Sequence, residues 1–440
     1  MFIIRVLMSC VIAILVLISY PQNADAFCGF YVAKADAKLY NKASQVIIAR
    51  NDDKTILTMA NDFQGNVKDF AIVVPVPVVI KEEQVNIGEN KIIQRLDAFS
   101  APRLVEYFDP DPCRQIVYKN GRSNLPATAG SISEKKAKKE DSLGVTIEAK
   151  FSVGEYDILV LSAKESNGLE TWLNRNSYKI PQGASQLLKP YIKQGMKFFV
   201  AKVNLEKFNK SGYEFLRPIQ IAYQTPKFML PIRLGMINAQ SEQDLIVYIL
   251  SPKGQAELTN YRQVNVPSNA EIPLFVKGEF SSFYKSMFAQ AYNKESKKVG
   301  FLEYAWNMAS CDPCSAEPLN TEELKKAGVF WLNDGNNNVF ITRLHVRYTR
   351  DKFPEDLMFE ETSNQNQFQG RYVLNHPFKG KVSCEAGKQY QKQVKQRFER
   401  EAQNLAKLTG WKINDIRKRM QISANNSSDD AFWQNIWDKK

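Results

Sequence analysis

Histidine is almost missing from this sequence: two of 440 residues, His345 and His376. A Ser–His or Cys–His catalytic pair would have to use one of them. There is no Gly-x-Ser-x-Gly elbow, no His-Glu-x-x-His pair and no phosphate-binding Gly-Lys-Ser/Thr loop, so the familiar signatures of serine hydrolases, zinc proteases and P-loop enzymes are absent. No segment repeats at solenoid length. Beyond residue 26 no apolar run reaches the roughly 20 residues needed to span a bilayer. Basic residues exceed acidic ones by 12 yet form only small clusters, at Lys135–Lys139 and Arg417–Arg419. Neither a basic stripe nor a known module marks a nucleic-acid binder, so no nucleic acid is expected as a partner. An excess of positive charge favours solubility and anionic surfaces without specifying a fold.

What is present begins with an export signal. Met1 to Ala26 carries Arg5, then the apolar stretch Val6 to Ile18, then Ala24-Asp25-Ala26 as a small-x-small cleavage pattern. Cleavage between Ala26 and Phe27 would leave a mature chain with no transmembrane span, placed in the periplasm or outside the cell. A retained anchor is disfavoured because the apolar run is short. Phe27 is too bulky to precede a lipidated cysteine, which removes the lipoprotein reading of Cys28.

The hydrophobic share of 44% supplies a packed core. Gln45–Arg50 and Thr55–Ala60 flank the turn residues Asn51 to Lys54, the pattern of a β-hairpin. Asp69 to Val74 leads into Pro75 and Pro77, which remove two donors from one side and suit an edge strand or a strand leaving its sheet. Asn90 to Phe108 reads as a helix kinked at Pro102. Gly121 to Ser142 reads as a mobile, solvated loop. Strands are expected at Val145–Phe151, Ile158–Ser162, Met196–Val203, Pro218–Tyr223, Phe228–Leu234, Leu245–Leu250 and Val339–Tyr348. Helices are expected around Leu169–Leu173, Ala184–Ile192 and Phe280–Ala291. Runs of strands with helices set aside predict an α+β fold, a mainly antiparallel, β-rich body with flanking helices and a C-terminal amphipathic helix.

Both histidines and three cysteines crowd into Phe301 to Cys384. After cleavage five cysteines remain: Cys28, Cys113, Cys311, Cys314 and Cys384. In an oxidising compartment they are disulfide candidates, with one left over. Cys28 with Cys113 is the natural N-terminal pair, leaving Cys384 for Cys311 or Cys314. A redox use of Cys311-Asp-Pro-Cys314 is disfavoured, because Pro318 and turn-like flanks do not start a helix at the motif. A Cys₃His zinc site from Cys311, Cys314, His376 and Cys384 has the right ligand types but not the usual spacing, so no cofactor is expected and zinc is the alternative. His345 alternates with Leu344 and Val346 and is expected on the polar side of its strand. Glu303, Glu355, Asp356 and Glu360 are the carboxylates that glycan chemistry would use.

Six blocks carry a resemblance. Phe27-Cys-Gly-Phe-Tyr31, Asp69-Phe-Ala-Ile-Val-Val-Pro-Val-Pro77, Ala101-Pro-Arg-Leu-Val-Glu-Tyr107, Leu216-Arg-Pro-Ile-Gln-Ile-Ala222, Ser310-Cys-Asp-Pro-Cys314 and Phe353-Pro-Glu-Asp-Leu357 together resemble a bacterial family of exported proteins known only as a domain of unknown function. The resemblance runs from about Phe27 to Cys384. It implies export and a shared fold, and brings no activity or catalytic residues.

The expected organisation is therefore a signal over 1–26, an α+β body over 27–384 and a helical extension over 385–440. In the extension, Tyr390, Val394, Phe398, Ala402 and Leu405 form one apolar stripe on a helix from Ala386 to Leu408, ended by Gly410. That helix either docks on the body or, with Phe432, Trp433 and Trp437, meets a protein or cell-envelope partner. The function expected from these residues is a non-enzymatic binding or scaffold module of the envelope. The alternative is a thiol oxidoreductase or metal-binding protein using Cys311 and Cys314.

Overall fold

Alternating side chains of the first hairpin set the architecture. Ser44–Asn51 pairs antiparallel with Lys54–Ala60, and the turn closes with Asp52 in the left-handed region, φ 56°, a conformation that Asp tolerates better than most residues. Val46 and Ile48 face one core while Ile47 and Ala49 face another, so this strand pair is buried on both sides. The computed structural model describes residues 30–33, 40–41, 44–60, 63–64, 70–114, 144–176, 184–212, 216–237, 242–310, 316–332 and 338–425.

The hairpin lies in a nine-stranded sheet ordered Arg262–Asn265, Val299–Asn307, Phe340–Tyr348, Gln243–Ser251, Ser44–Asn51, Lys54–Ala60, Ile219–Gln224 and Val85–Ile87, with Phe368–Gln369 added beside Val299–Asn307. Pairing is antiparallel except for Gln243–Ser251 on Ser44–Asn51 and Arg262–Asn265 on Val299–Asn307. A five-stranded antiparallel sheet, Phe30–Ala33, Phe70–Val76, Lys197–Val203, Tyr156–Ala163 and Val145–Val153, packs against it. Ile72, Val74, Ile158 and Phe199 from the smaller sheet share one core with Val46, Leu57, Val247 and Leu344 from the larger.

The outer faces are covered by helices. Ala71, Val73 and Val200, one residue out of phase with the shared core, pack under the helices Ser166–Arg175 and Ala184–Lys193. On the far side of the larger sheet lie Asn90–Ser100, Phe280–Lys294 and Glu385–Thr409. The result is four layers, helix, sheet, sheet, helix. The α+β expectation with mainly antiparallel pairing holds. Gly154 turns the hairpin between Val145–Val153 and Tyr156–Ala163 at φ 55°, and a Cβ there would sit 2.8 Å from Ile87 Cγ1. Only glycine meets both demands.

Three expectations are corrected. The helix begun at Asn90 ends at Ser100, and Arg103–Phe108 is a strand parallel to Arg371–His376. Pro102 forces its predecessor out of the helical region, and the chain restarts as a strand rather than a kinked helix. Phe228–Leu234 holds only the short strand Met229–Leu230, followed by a 3-10 turn over Arg233–Ile237, because Pro231 donates nothing to a ladder. Phe70–Val76 is an interior strand; Pro75 lies within it opposite Phe198, and Pro77 follows its end. The loop read over Gly121 to Ser142 lies outside the described residues.

The C-terminal stripe docks on the body. Val394, Phe398, Ala402 and Leu405 are buried on Glu385–Thr409, and Gly410 ends that helix at φ 73°. Ala402 and Leu405 share a core with Phe283, Met287 and Phe288 of Phe280–Lys294.

Candidate functional site

Arg343, His345 and Arg347 alternate with Leu344 and Val346 on the strand Phe340–Tyr348. The apolar pair enters the core between the sheets. The three basic residues turn to the opposite face, where the helix Asn90–Ser100 meets Arg343 and the helix Phe280–Lys294 covers His345 and Arg347. His345 does face away from Leu344 and Val346 as expected, but that side is buried rather than solvated, with His345 at 7% exposure. Charges taken out of water must be paired, and the fold brings a carboxylate to each.

Glu303 arrives through a β-bulge. Leu302 faces Leu344 and Tyr304 faces Arg343, so Glu303 is the extra residue between them. Asp244 arrives by register, opposite Arg347 on Gln243–Ser251. Asp97 comes from the helix Asn90–Ser100. The side chains form one line of alternating charge. Arg343 Nη1 donates to Asp97 Oδ1 at 2.7 Å and Arg343 Nε to Glu303 Oε2 at 2.6 Å. His345 Nδ1 lies 2.8 Å from Glu303 Oε1, and Nε2 lies 3.0 Å from Asp244 Oδ1. Arg347 closes the line with a bidentate contact to Asp244, Nε at 2.8 Å and Nη2 at 2.7 Å. Three anions and three cations alternate.

The covering helix completes the site at four-residue intervals, one face of a helix. The Tyr284 hydroxyl donates to Glu303. Phe288 stacks on His345, ring centroids 3.8 Å apart, and lies under the Arg347 guanidinium. Tyr292 also faces Arg347. At the other end the Tyr248 hydroxyl donates to Asp97 at 2.9 Å, with its ring beneath Arg343. The line runs from Asp97, 43% exposed, through a buried centre to Arg347, 21% exposed.

Pairing overrides burial at Glu303 and Asp244. Burial alone would raise Glu303, but Arg343 and His345 bring it down to about 2. Burial would likewise raise Asp244, yet His345 and Arg347 hold it well below the ordinary carboxylate range. Burial would lower His345, and the Glu303 and Asp244 carboxylates outweigh it and raise the pKa. Both ring nitrogens face carboxylate oxygens, which an imidazolium satisfies and a neutral ring does not. Burial pushes Tyr284 and Tyr248 up, so both stay protonated donors. His345 sits between two of the carboxylates, so its protonation makes or breaks a link in the line.

The cysteines pair differently from expectation. Cys113 is bonded to Cys384, Cα atoms 6.0 Å apart, replacing Cys28 with Cys113 and Cys384 with Cys311 or Cys314. The physical cause is the parallel pairing of Arg103–Phe108 with Arg371–His376, which puts Phe108 beside His376. Both chains leave the sheet at the same end and reach their cysteines together. The Cys₃His zinc set of Cys311, Cys314, His376 and Cys384 loses Cys384 to this bond. His376 binds Glu106 through Nε2 at 2.7 Å and stacks on Phe108. Cys28, Cys311, Cys314, Ala26, Phe27, Phe432, Trp433 and Trp437 lie outside the described residues. Glu303 and Asp356 belong to separate ion clusters: Asp356 accepts from Tyr191 Oη at 2.6 Å and from Arg233 Nη2 at 2.7 Å. Glu355 and Glu360 are exposed.

Sequence reasoning missed Arg343, Arg347, Asp244, Asp97 and Tyr284. The signal was three basic residues at alternate positions of a strand that is otherwise largely apolar.

No curated protein matches the chain, and no solved structure does. A family model described as an uncharacterized protein conserved in bacteria (DUF2330) matches residues 22–360. That span holds the whole ionic line and stops short of the helix Glu385–Thr409, and it makes the chain a member of that family.

Proposed function

We propose that this is an exported, non-catalytic binding or scaffold module of the bacterial envelope. The Cys113–Cys384 bond carries the reading, since structural disulfides persist in oxidising compartments. It ties the turn that follows the strand Arg103–Phe108 to the N-cap of the long C-terminal helix. Beside it Asp109 takes both Arg397 amines, at 3.0 and 2.7 Å, and the Tyr390 hydroxyl at 2.6 Å. A covalent bond and an ion pair at one junction suit a body that keeps its shape outside the cell. The ionic line supports the non-catalytic part, because its central groups are committed to one another. No helix among the described residues is long and apolar enough to cross a membrane.

Cell fractionation of the full-length protein, with thiol alkylation before and after reduction, tests the proposal. Expected are recovery outside the cytoplasm, Cys113 and Cys384 alkylated only after reduction, and no dithiol turnover. Cytoplasmic protein with both thiols free would overturn it. So would dithiol turnover lost in Cys311→Ser, which would assign an oxidoreductase instead.

A further inference from the structure

Where Met229–Leu230 pairs with Leu357–Glu361, a cavity of about 290 Å³ opens beside the Arg233–Asp356 ion pair. Asp356 is buried, and it fixes Arg233 through Nε at 3.0 Å and Nη2 at 2.7 Å while accepting the Ile232 amide at 2.9 Å. Arg233 thus stands as a rigid wall of the cavity. Met229 and Met358 supply apolar lining, and Lys227 and Glu355 stand exposed at its edge. Lys227 Nζ reaches only the Gln194 side-chain oxygen, at 3.3 Å, and meets no carboxylate among the described residues. Glu355 takes one long contact from Asn260 Nδ2, at 3.4 Å, and meets no cation among them. Two opposite charges therefore share a cavity and do not neutralise each other.

We infer that this cavity binds a small zwitterion of the α-amino-acid type. The ligand carboxylate faces Arg233 and Lys227, its ammonium faces Glu355, and an unbranched apolar side chain lies along Met229 and Met358, whose flexible thioethers adapt to it. The volume is at the lower end for ligand sites, which limits the occupant to about one amino acid. A ligand of one charge would leave Lys227 or Glu355 unmatched.

This deepens the binding reading above by naming a ligand class, and its test is separate from that of export. Calorimetric titration of the folded protein uses three probes: L-methionine, N-acetyl-L-methionine, which keeps only the negative charge, and L-methioninamide, which keeps only the positive one. The variants are Lys227→Met and Glu355→Gln, both at exposed positions and checked by circular dichroism. L-Methionine is expected to bind, and to weaken roughly fivefold in each variant, the size of one solvent-exposed ion pair. The acetylated probe should ignore Glu355→Gln, and the amide should ignore Lys227→Met. No binding of L-methionine at millimolar concentration would overturn the inference. So would an affinity for it that ignores either substitution, or equal binding of all three probes.

Discussion

Glu303→Gln probes the ionic line at its centre. The glutamate oxygens receive Arg343 Nε, His345 Nδ1 and the Tyr284 hydroxyl. Glutamine keeps the shape but offers one acceptor oxygen and an amide that donates. Whichever way it points, a donor meets a donor, and the two flanking cations lose the charge between them. Breaking a buried pair from one side costs about 3–5 kcal/mol. For a chain of this length that corresponds to a fall in melting temperature of about 3–5 °C. The pH dependence adds a second readout. His345 has a raised folded pKa, so its contribution is fully present below the unfolded value near 6.5 and is lost as pH rises through the folded value. Without Glu303 the histidine deprotonates at lower pH, and that alkaline loss shrinks. The gap between wild type and variant should thus be widest in mild acid and narrow toward alkaline pH. Thermal melts across that range decide it. An unchanged melting temperature, or a gap that widens with pH, would mean that Glu303 does not hold the His345 proton.

Other substitutions test separate features. Glu401, buried on the long helix, has its pKa pushed up to about 8 by burial; Arg397 Nε stays 3.5 Å from it, while Arg397 Nη1 and Nη2 are engaged by Asp109. The folded state keeps that proton after the unfolded chain has lost it, so stability falls between about pH 4.5 and 8. Glu401→Gln should be more stable than wild type at pH 8, by roughly 2–4 kcal/mol, and equal to it near pH 4, as urea unfolding would show. Replacing Cys113 and Cys384 by serine opens a loop with a sequence separation of 271. The loss should approach about 5 kcal/mol in the chain-entropy model, and wild type with reductant should match the double variant in a thermal melt. Gly154→Ala should destabilise by more than about 1 kcal/mol, since it combines a left-handed backbone with a clash on Ile87; equal denaturation midpoints would contradict this.

Much of the fold was legible because its signals are local. The hairpin at Asn51 to Lys54 has both alternation and turn chemistry, and the stripe from Val394 to Leu405 has helical spacing. Pro102 was legible as a break but not as a switch from helix to strand, because the outcome depended on pairing with Arg371–His376, far along the chain. The same distant pairing decided the disulfide, so nearness in sequence pointed Cys113 to the wrong partner. His345 was placed on the correct face and given the wrong surroundings. Alternation tells which residues share a face, while the helix that covers that face comes from residues 280–294. The bulge at Glu303 has no signature in its own residues, since neither Gly nor Pro marks it.

In the ionic line His345 carries a proton on each ring nitrogen, linking Glu303 to Asp244. Long-range proton–nitrogen NMR of the imidazole rings reads this directly. With only two histidines in the sequence, His376→Gln assigns the signals. Two protonated nitrogens on His345 at neutral pH are predicted, giving way to the neutral ring only at a pH above the ordinary histidine value. A bare, unprotonated ring nitrogen at neutral pH would contradict the account.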